Sequence, residues 1–135
     1  MQSSLRNTAR LPFISYGISR LRSIGFALHG IGALIRNEPN ARVHLVASLA
    51  VVLAGLELHC GLDDWRWLAL AVAMVWVAEA FNTAIEVLCN LVQPDFHPRV
   101  KQIKDLAAGA VLLAAMVAAL IGASVAFPHL LGGGA

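Results

Sequence analysis

The chain has 135 residues, of which 59% are hydrophobic and 13% charged, and a formal net charge of +2. So few charges cannot cover a soluble globule of this size, and the chain is too short for a large transporter or receptor built from repeats. A membrane span takes about 20 apolar residues, which leaves room for roughly three spans after a polar N-terminal third. Its basic residues do not cluster with aromatics, so nucleic acid is not an expected partner.

The first 37 residues carry Arg6, Arg10, Arg20, Arg22 and Arg36 and no acidic residue. No apolar run there approaches a signal-peptide core, so no cleaved leader is expected. Ile18, Leu21, Ile24, Leu28, Ile31 and Ile35 recur every three or four residues, while Ser19, Arg20, Arg22, Ser23 and Arg36 fall largely on the other side of the wheel. This pattern predicts an amphipathic helix lying in the membrane interface, weakened by Gly25, Gly30 and Gly32. A break is expected at Asn37-Glu38-Pro39-Asn40, with Pro39 in the first turn of the next helix.

The first span centres on residues 45–56 and reaches membrane length only by drawing in residues 41–44 and 57–60. A second span is expected from Trp65, uncharged from Trp67 to Ala78 and then admitting Glu79 and Glu86. The third, residues 106–127, contains 22 uncharged residues and should close at Pro128, before a flexible Gly132-Gly133-Gly134 tail. Nine of the ten Lys and Arg precede the first span or lie between the second and third, whereas the hairpin 57–66 holds Glu57, Asp63, Asp64 and one arginine. The positive-inside rule then places the N-terminus and the loop 90–105 in the cytoplasm and the C-terminus outside. Cys60 and Cys89 fall near opposite membrane faces, too far apart to bridge, and neither their number nor their spacing suggests a metal site.

Glu79, Asn82, Thr83, Glu86 and Asn90 share one stripe of the second span. A carboxylate inside a span costs about 2.5–3.5 kcal/mol on translocon scales, so two on one face signal a site, a proton path or a paired structural charge. Counting ~1.5 Å per residue from Trp65, Glu79 lies about 21 Å into a core of roughly 30 Å, while Glu86 reaches the cytoplasmic boundary. Glu79 is thus placed to meet a lipid headgroup. Glu86 is placed to meet water, Mg²⁺ and nucleotide phosphates, although a glutamate snorkelling at a helix end fits it too. Asn82 and Thr83 either serve the same site or bond a neighbouring helix.

Glu38 should lie at the depth of Glu86, where two carboxylates from different helices suit Mg²⁺; an ordinary helix-start acid beside Pro39 is the other reading. Lys104 and Asp105 open the third span, as phosphate-site residues or as boundary charges, the acid favoured by the helix dipole. His97, Arg99 and Lys101 either hold phosphates or are the positive-inside signature. No P-loop and no Ser/His/Asp signature occurs, so nucleotide chemistry would need a site built from transmembrane helix ends.

Glu79-Ala80-Phe81-Asn82-Thr83-Ala84-Ile85-Glu86, followed by His97-Pro98 and Lys104-Asp105-Leu106-Ala107-Ala108-Gly109-Ala110-Val111-Leu112, resembles the prokaryotic diacylglycerol kinase family, which includes the undecaprenol kinases. The resemblance runs back through Asn37-Glu38 and Asn40-Ala41-Arg42-Val43-His44 and covers residues 19–128. It implies a homotrimer of three-span subunits, each with an amphipathic N-terminal helix, and active sites shared between subunits. It also implies ATP as co-substrate with Mg²⁺, Glu79 as catalytic base, Asn82 beside the reacting groups, and Glu38 and Glu86 on the metal. Phe26, Asp95, His97, Lys104 and Asp105 match positions that hold nucleotide. Asn90 stands where the family usually has an acid, and Phe26 where it usually has Tyr.

The expected protein is all-α: a cytoplasmic segment 1–37 with a surface helix, then a three-helix transmembrane kinase unit 38–135 in the bacterial inner membrane. Its expected activity is phosphorylation of a lipid alcohol, leading with diacylglycerol to phosphatidic acid and with undecaprenol as the alternative acceptor. A reading of another class is a non-catalytic oligomer with a buried-glutamate ion or proton path. Ala110, Ala114, Ala118 and Gly122 form a small-residue ridge on the third span, widened by Ala115, Ala119 and Ala123. Such ridges promote helix association in lipid. Three spans of one chain are also expected to leave Glu79 partly open, so that a second copy would supply the missing wall.

Overall fold

A computed structural model describes the backbone of residues 12–132 and the side chains of residues 20 and 22–132. Arg6, Arg10 and the glycines of the tail beyond Gly132 lie outside the described residues, as do the side chains of Ile18 and Leu21. The described residues form four helices: α1 (Pro12–Asn37), α2 (Pro39–Glu57), α3 (Leu62–Val92) and α4 (Pro98–Leu130). The chain divides into two units, residues 1–33 and 34–135. In the first, α1 continues unbroken through Gly25, Gly30 and Gly32, and Ile24, Phe26, Leu28 and Ile31 are exposed.

In the second unit, α2, α3 and α4 are each long and apolar enough to cross a membrane. The break between α1 and α2 takes one residue. A proline ring disfavours helical backbone in the residue before it, and Glu38 is accordingly extended (φ −102°, ψ 119°) while Pro39 opens α2. The far end of α2 closes with His59 in the left-handed region (φ 54°). His59 N donates to Leu56 O (3.1 Å) and Cys60 N to Gly55 O (3.0 Å), the paired bonds of a Schellman turn. Two residues later α3 begins.

The expected start of the second span at Trp65 is too late by three residues: Asp63 and Asp64 belong to the first turn of α3, where the helix dipole favours acids, and Asp64 Oδ2 accepts from Gly61 N (3.0 Å). With 31 residues, α3 is about 46 Å long. It is the central helix, packed extensively along α4 and less so against α2. Its buried stripe of Leu68, Ala71 and Val75 continues directly into Glu79 and Asn82.

Two corrections concern α4. The loop expected over residues 90–105 shrinks to 93–97, because His97 caps α4 by accepting from Arg99 N (3.2 Å) and Pro98 supplies a preset first turn. Lys101, Lys104 and Asp105 therefore sit on the opening turns of α4, and Asn90 on α3. Nor does α4 stop at Pro128; it runs on to Leu130. Proline costs a helix one N–H bond, but so near the end the last turn is held by Leu131 N donating to Phe127 O (3.2 Å) and by the His129 ring against Val125 O (2.9 Å).

The small-residue ridge also serves the chain itself. Ala114 is buried, and Ala115, Ala118, Ala119 and Gly122 line a cavity of about 250 Å³ whose other walls come from α2 and α3. Close helix approach along small residues thus operates within the single chain.

Candidate active site

Glu79 is 1% exposed, although its surroundings come from a single chain. The expectation that three spans leave it open is therefore not met, because α2 lays a polar side chain across it: His44 Nε2 stands 3.7 Å from Glu79 Oε2. Ser48, one turn further along α2, donates to His44 O (2.7 Å) and accepts from Trp76 Nε1 of α3 (3.0 Å). That cross-link fixes the level at which α2 faces α3, and hence His44 opposite Glu79. No periodicity within either helix reveals this partner; the signals in the sequence were a histidine in a mostly apolar helix and its place in the Asn40–His44 stretch of the family resemblance.

Asn82, 5% exposed, donates from Nδ2 to Glu86 Oε1 (3.3 Å). Two members of the stripe read from the sequence are thus bonded to each other, and Glu79 stands one turn before Asn82 on the same helix. Three buried oxygens on it accept no hydrogen bond: Glu79 Oε2, Asn82 Oδ1 and Thr83 Oγ1. A buried polar atom left unbonded costs roughly 1–3 kcal/mol, so three on adjacent turns form a cluster of unused hydrogen-bonding capacity. Glu38 and Glu86, both half-buried, lie close enough to Glu79 for their charges to act on it.

The remaining sequence-derived residues divide. Lys104 reaches from α4 to α3, donating to Asn90 Oδ1 (2.6 Å), so the neutral residue at position 90 still receives a cation. Asp105 does not act with Lys104; it is exposed and pairs with Lys101 (2.5 Å). Asp95 is exposed in the 93–97 loop, and the His97 ring is occupied as a cap. Phe26, 76% exposed, belongs to the α1 unit. The 250 Å³ cavity is lined by His44 and Ser48 and otherwise wholly by Ala, Val, Leu and Gly, so an apolar groove runs between His44 and Gly122.

Residues 25–126 match the family model described as prokaryotic diacylglycerol kinase. An undecaprenol kinase of Bacillus subtilis is 33% identical over 109 residues, which make up 81% of this chain and 89% of that protein. A diacylglycerol kinase of a Synechocystis species is 37% identical over 112 residues, 82% of this chain and 64% of that protein. A diacylglycerol kinase of Escherichia coli K12 is 27% identical over 114 residues, 84% of this chain and 93% of that protein.

Proposed function

Because the chain belongs to the prokaryotic diacylglycerol kinase family and is a membrane-embedded lipid kinase, we propose that it transfers the γ-phosphoryl group of ATP to the free hydroxyl of diacylglycerol, giving phosphatidic acid. The observation that carries this reading is the unbonded, buried Glu79 Oε2 beside His44, a residue that lines the apolar groove. A lipid alcohol lying with a chain in that groove brings its O–H to the carboxylate. Glu79 accepts the hydroxyl proton as the lipid oxygen bonds to the γ-phosphorus and the bond to the ADP oxygen breaks; the carboxyl later returns the proton to solvent. His44 holds the carboxylate in place, and Asn82 faces the reacting groups. Membership of a kinase family sets aside the non-catalytic ion-path reading.

Glu38, which caps the start of α2, and Glu86 of α3 offer carboxylates whose charges converge near Glu79, a hard-oxygen donor set that fits Mg²⁺. When bound there, the ion supplies neutralising charge for the phosphates. Lys104 steadies this end of the site through Asn90. Asp95, His97 and Asp105 are the further nucleotide contacts of this unit, His97 and Asp105 exchanging their present bonds for phosphate or ribose. ATP reaches this end from the cytoplasm, which puts the N-terminus inside and the chain in the bacterial inner membrane. A homotrimer, implied by the family resemblance, completes the proposal.

Undecaprenol is the second acceptor to test, since the Bacillus subtilis relative named for it is matched over 89% of its length. Purified protein with γ-labelled ATP, Mg²⁺ and either lipid decides between them. Labelled phosphatidic acid supports the proposal, label confined to undecaprenyl phosphate transfers it to the polyprenol, and no label in either lipid refutes both.

A further inference from the structure

At the end of the bundle away from Glu86, the close of α2, the start of α3 and the last turn of α4 bring together three side chains that the kinase reaction does not use. Cys60 Sγ, a carboxylate oxygen of Asp64 and a ring nitrogen of His129 all lie within 4.8 Å of one another. We infer that Cys60, Asp64 and His129 form a binding site for one zinc ion, with its fourth position open to water.

Each donor is held by a bond that leaves its metal-binding electrons free. The His129 ring is fixed through Nδ1 against Val125 O (2.9 Å). A proton on Nδ1 donating to that carbonyl makes Nε2 the lone-pair nitrogen, and Nε2 is the atom turned toward Asp64 (3.4 Å). A carbonyl orienting the far nitrogen is the usual outer-shell support of a zinc-bound histidine. Asp64 Oδ2 is steadied by Gly61 N (3.0 Å), and Cys60 is presented by the Schellman turn through its own N–H to Gly55 O (3.0 Å). Two lone-pair atoms 3.4 Å apart repel unless a proton or a cation lies between them.

The spacing fits the cation. Zinc bonds of about 2.0–2.1 Å to nitrogen and oxygen at the tetrahedral angle set those atoms about 3.3 Å apart, against the 3.4 Å found. One sulfur, one nitrogen and one oxygen select a borderline-soft divalent ion over Mg²⁺ or Ca²⁺, which take oxygen. All three residues are half-buried, so an ion has a way in, and binding releases the thiol proton to solvent. His129 is 69 positions from Cys60 in sequence and arrives only because α4 continues past Pro128.

The test is a Co²⁺ titration of chelator-stripped full-length protein in detergent micelles, with Zn²⁺ and Mg²⁺ as competitors. Expected are a thiolate-to-cobalt charge-transfer band saturating at one ion per chain, its loss on adding Zn²⁺, and its persistence in excess Mg²⁺. Cys60→Ala should abolish the band, and His129→Ala or Asp64→Asn should weaken binding by at least the roughly 10-fold that losing an outer-shell partner costs. Cys89→Ala, Glu38→Ala and Glu86→Ala should leave it unchanged. No thiolate band in the unmutated protein, or one that survives Cys60→Ala and disappears in Cys89→Ala, overturns the site and leaves a proton between His129 and Asp64.

Discussion

Glu79 and His44 face each other across 3.7 Å, close enough for charge to matter and too far for a full hydrogen bond. Glu79 Oε2 is therefore left without a hydrogen bond, as its proposed role of proton acceptor requires. Glu79→Gln keeps the shape and removes the proton acceptor. It should lower lipid phosphorylation by about 10²- to 10⁴-fold while the thermal melting of the detergent-solubilised protein stays near that of the parent; turnover within a few-fold of normal would remove Glu79 from the reaction. Glu38→Ala and Glu86→Ala act on a different variable. Each should raise the Mg²⁺ concentration needed for half-maximal rate and weaken ATP use, with the dependence on lipid concentration little changed, and Mg²⁺ titrations matching the parent's in both variants would refute the ligand assignment. The stripe of Glu79, Asn82 and Glu86 was legible in the sequence because helical spacing alone puts residues three and four apart on one face. His44 was not, because which residue of α2 meets Glu79 depends on the Ser48–Trp76 bond between helices.

Among the elements, α2 comes closest to the Trp65 ring of α3 at one small residue, Gly55. A methyl group placed on Gly55 would stand 2.8 Å from Trp65 Cη2 and 3.0 Å from Cζ2, inside any real carbon–carbon contact. In an isolated helix, Gly→Ala gains about 1 kcal/mol. Here the indole must move, and overfilling a packed contact costs about 1–3 kcal/mol. Gly55→Ala should thus give no gain or a net loss of up to about 2 kcal/mol, and Gly55→Val a clear loss, read as lowered melting temperatures; a more stable Gly55→Val protein would show that the ring moves freely. Element boundaries were legible where one residue dictates its neighbour, as Pro39 does for Glu38. They were misread where charge was taken for loop: Asp63 and Asp64 at the head of α3, and Lys101 to Asp105 at the head of α4, are helical because charges are at home on turns that project beyond the hydrocarbon. Pro128 misled for a related reason, since a proline near a helix end forfeits only one bond.

For the whole molecule, family and fold class were legible from the motifs and from the three apolar runs, whereas the use of the ridge was not. Small residues favour close approach to any helix, and here Ala114 meets the chain's own neighbours. The lengths of the spans have a consequence for the membrane in which the enzyme works. At 19 residues α2 reaches about 28 Å, while α3 and α4, at 31 and 33 residues, reach about 46 and 50 Å. The longer helices have material to spare in any bilayer; α2 has none. A thicker bilayer therefore generates hydrophobic mismatch at α2 alone, pulling on the helix that carries His44 and is capped by Glu38. In phosphatidylcholine vesicles of increasing acyl length, phosphorylation should peak where the hydrocarbon matches about 28 Å and decline as the chains lengthen, the loss appearing in turnover before it appears in unfolding. A flat profile would mean that α2 slides with the lipid without disturbing α3, and so that the Ser48–Trp76 bond is no tether.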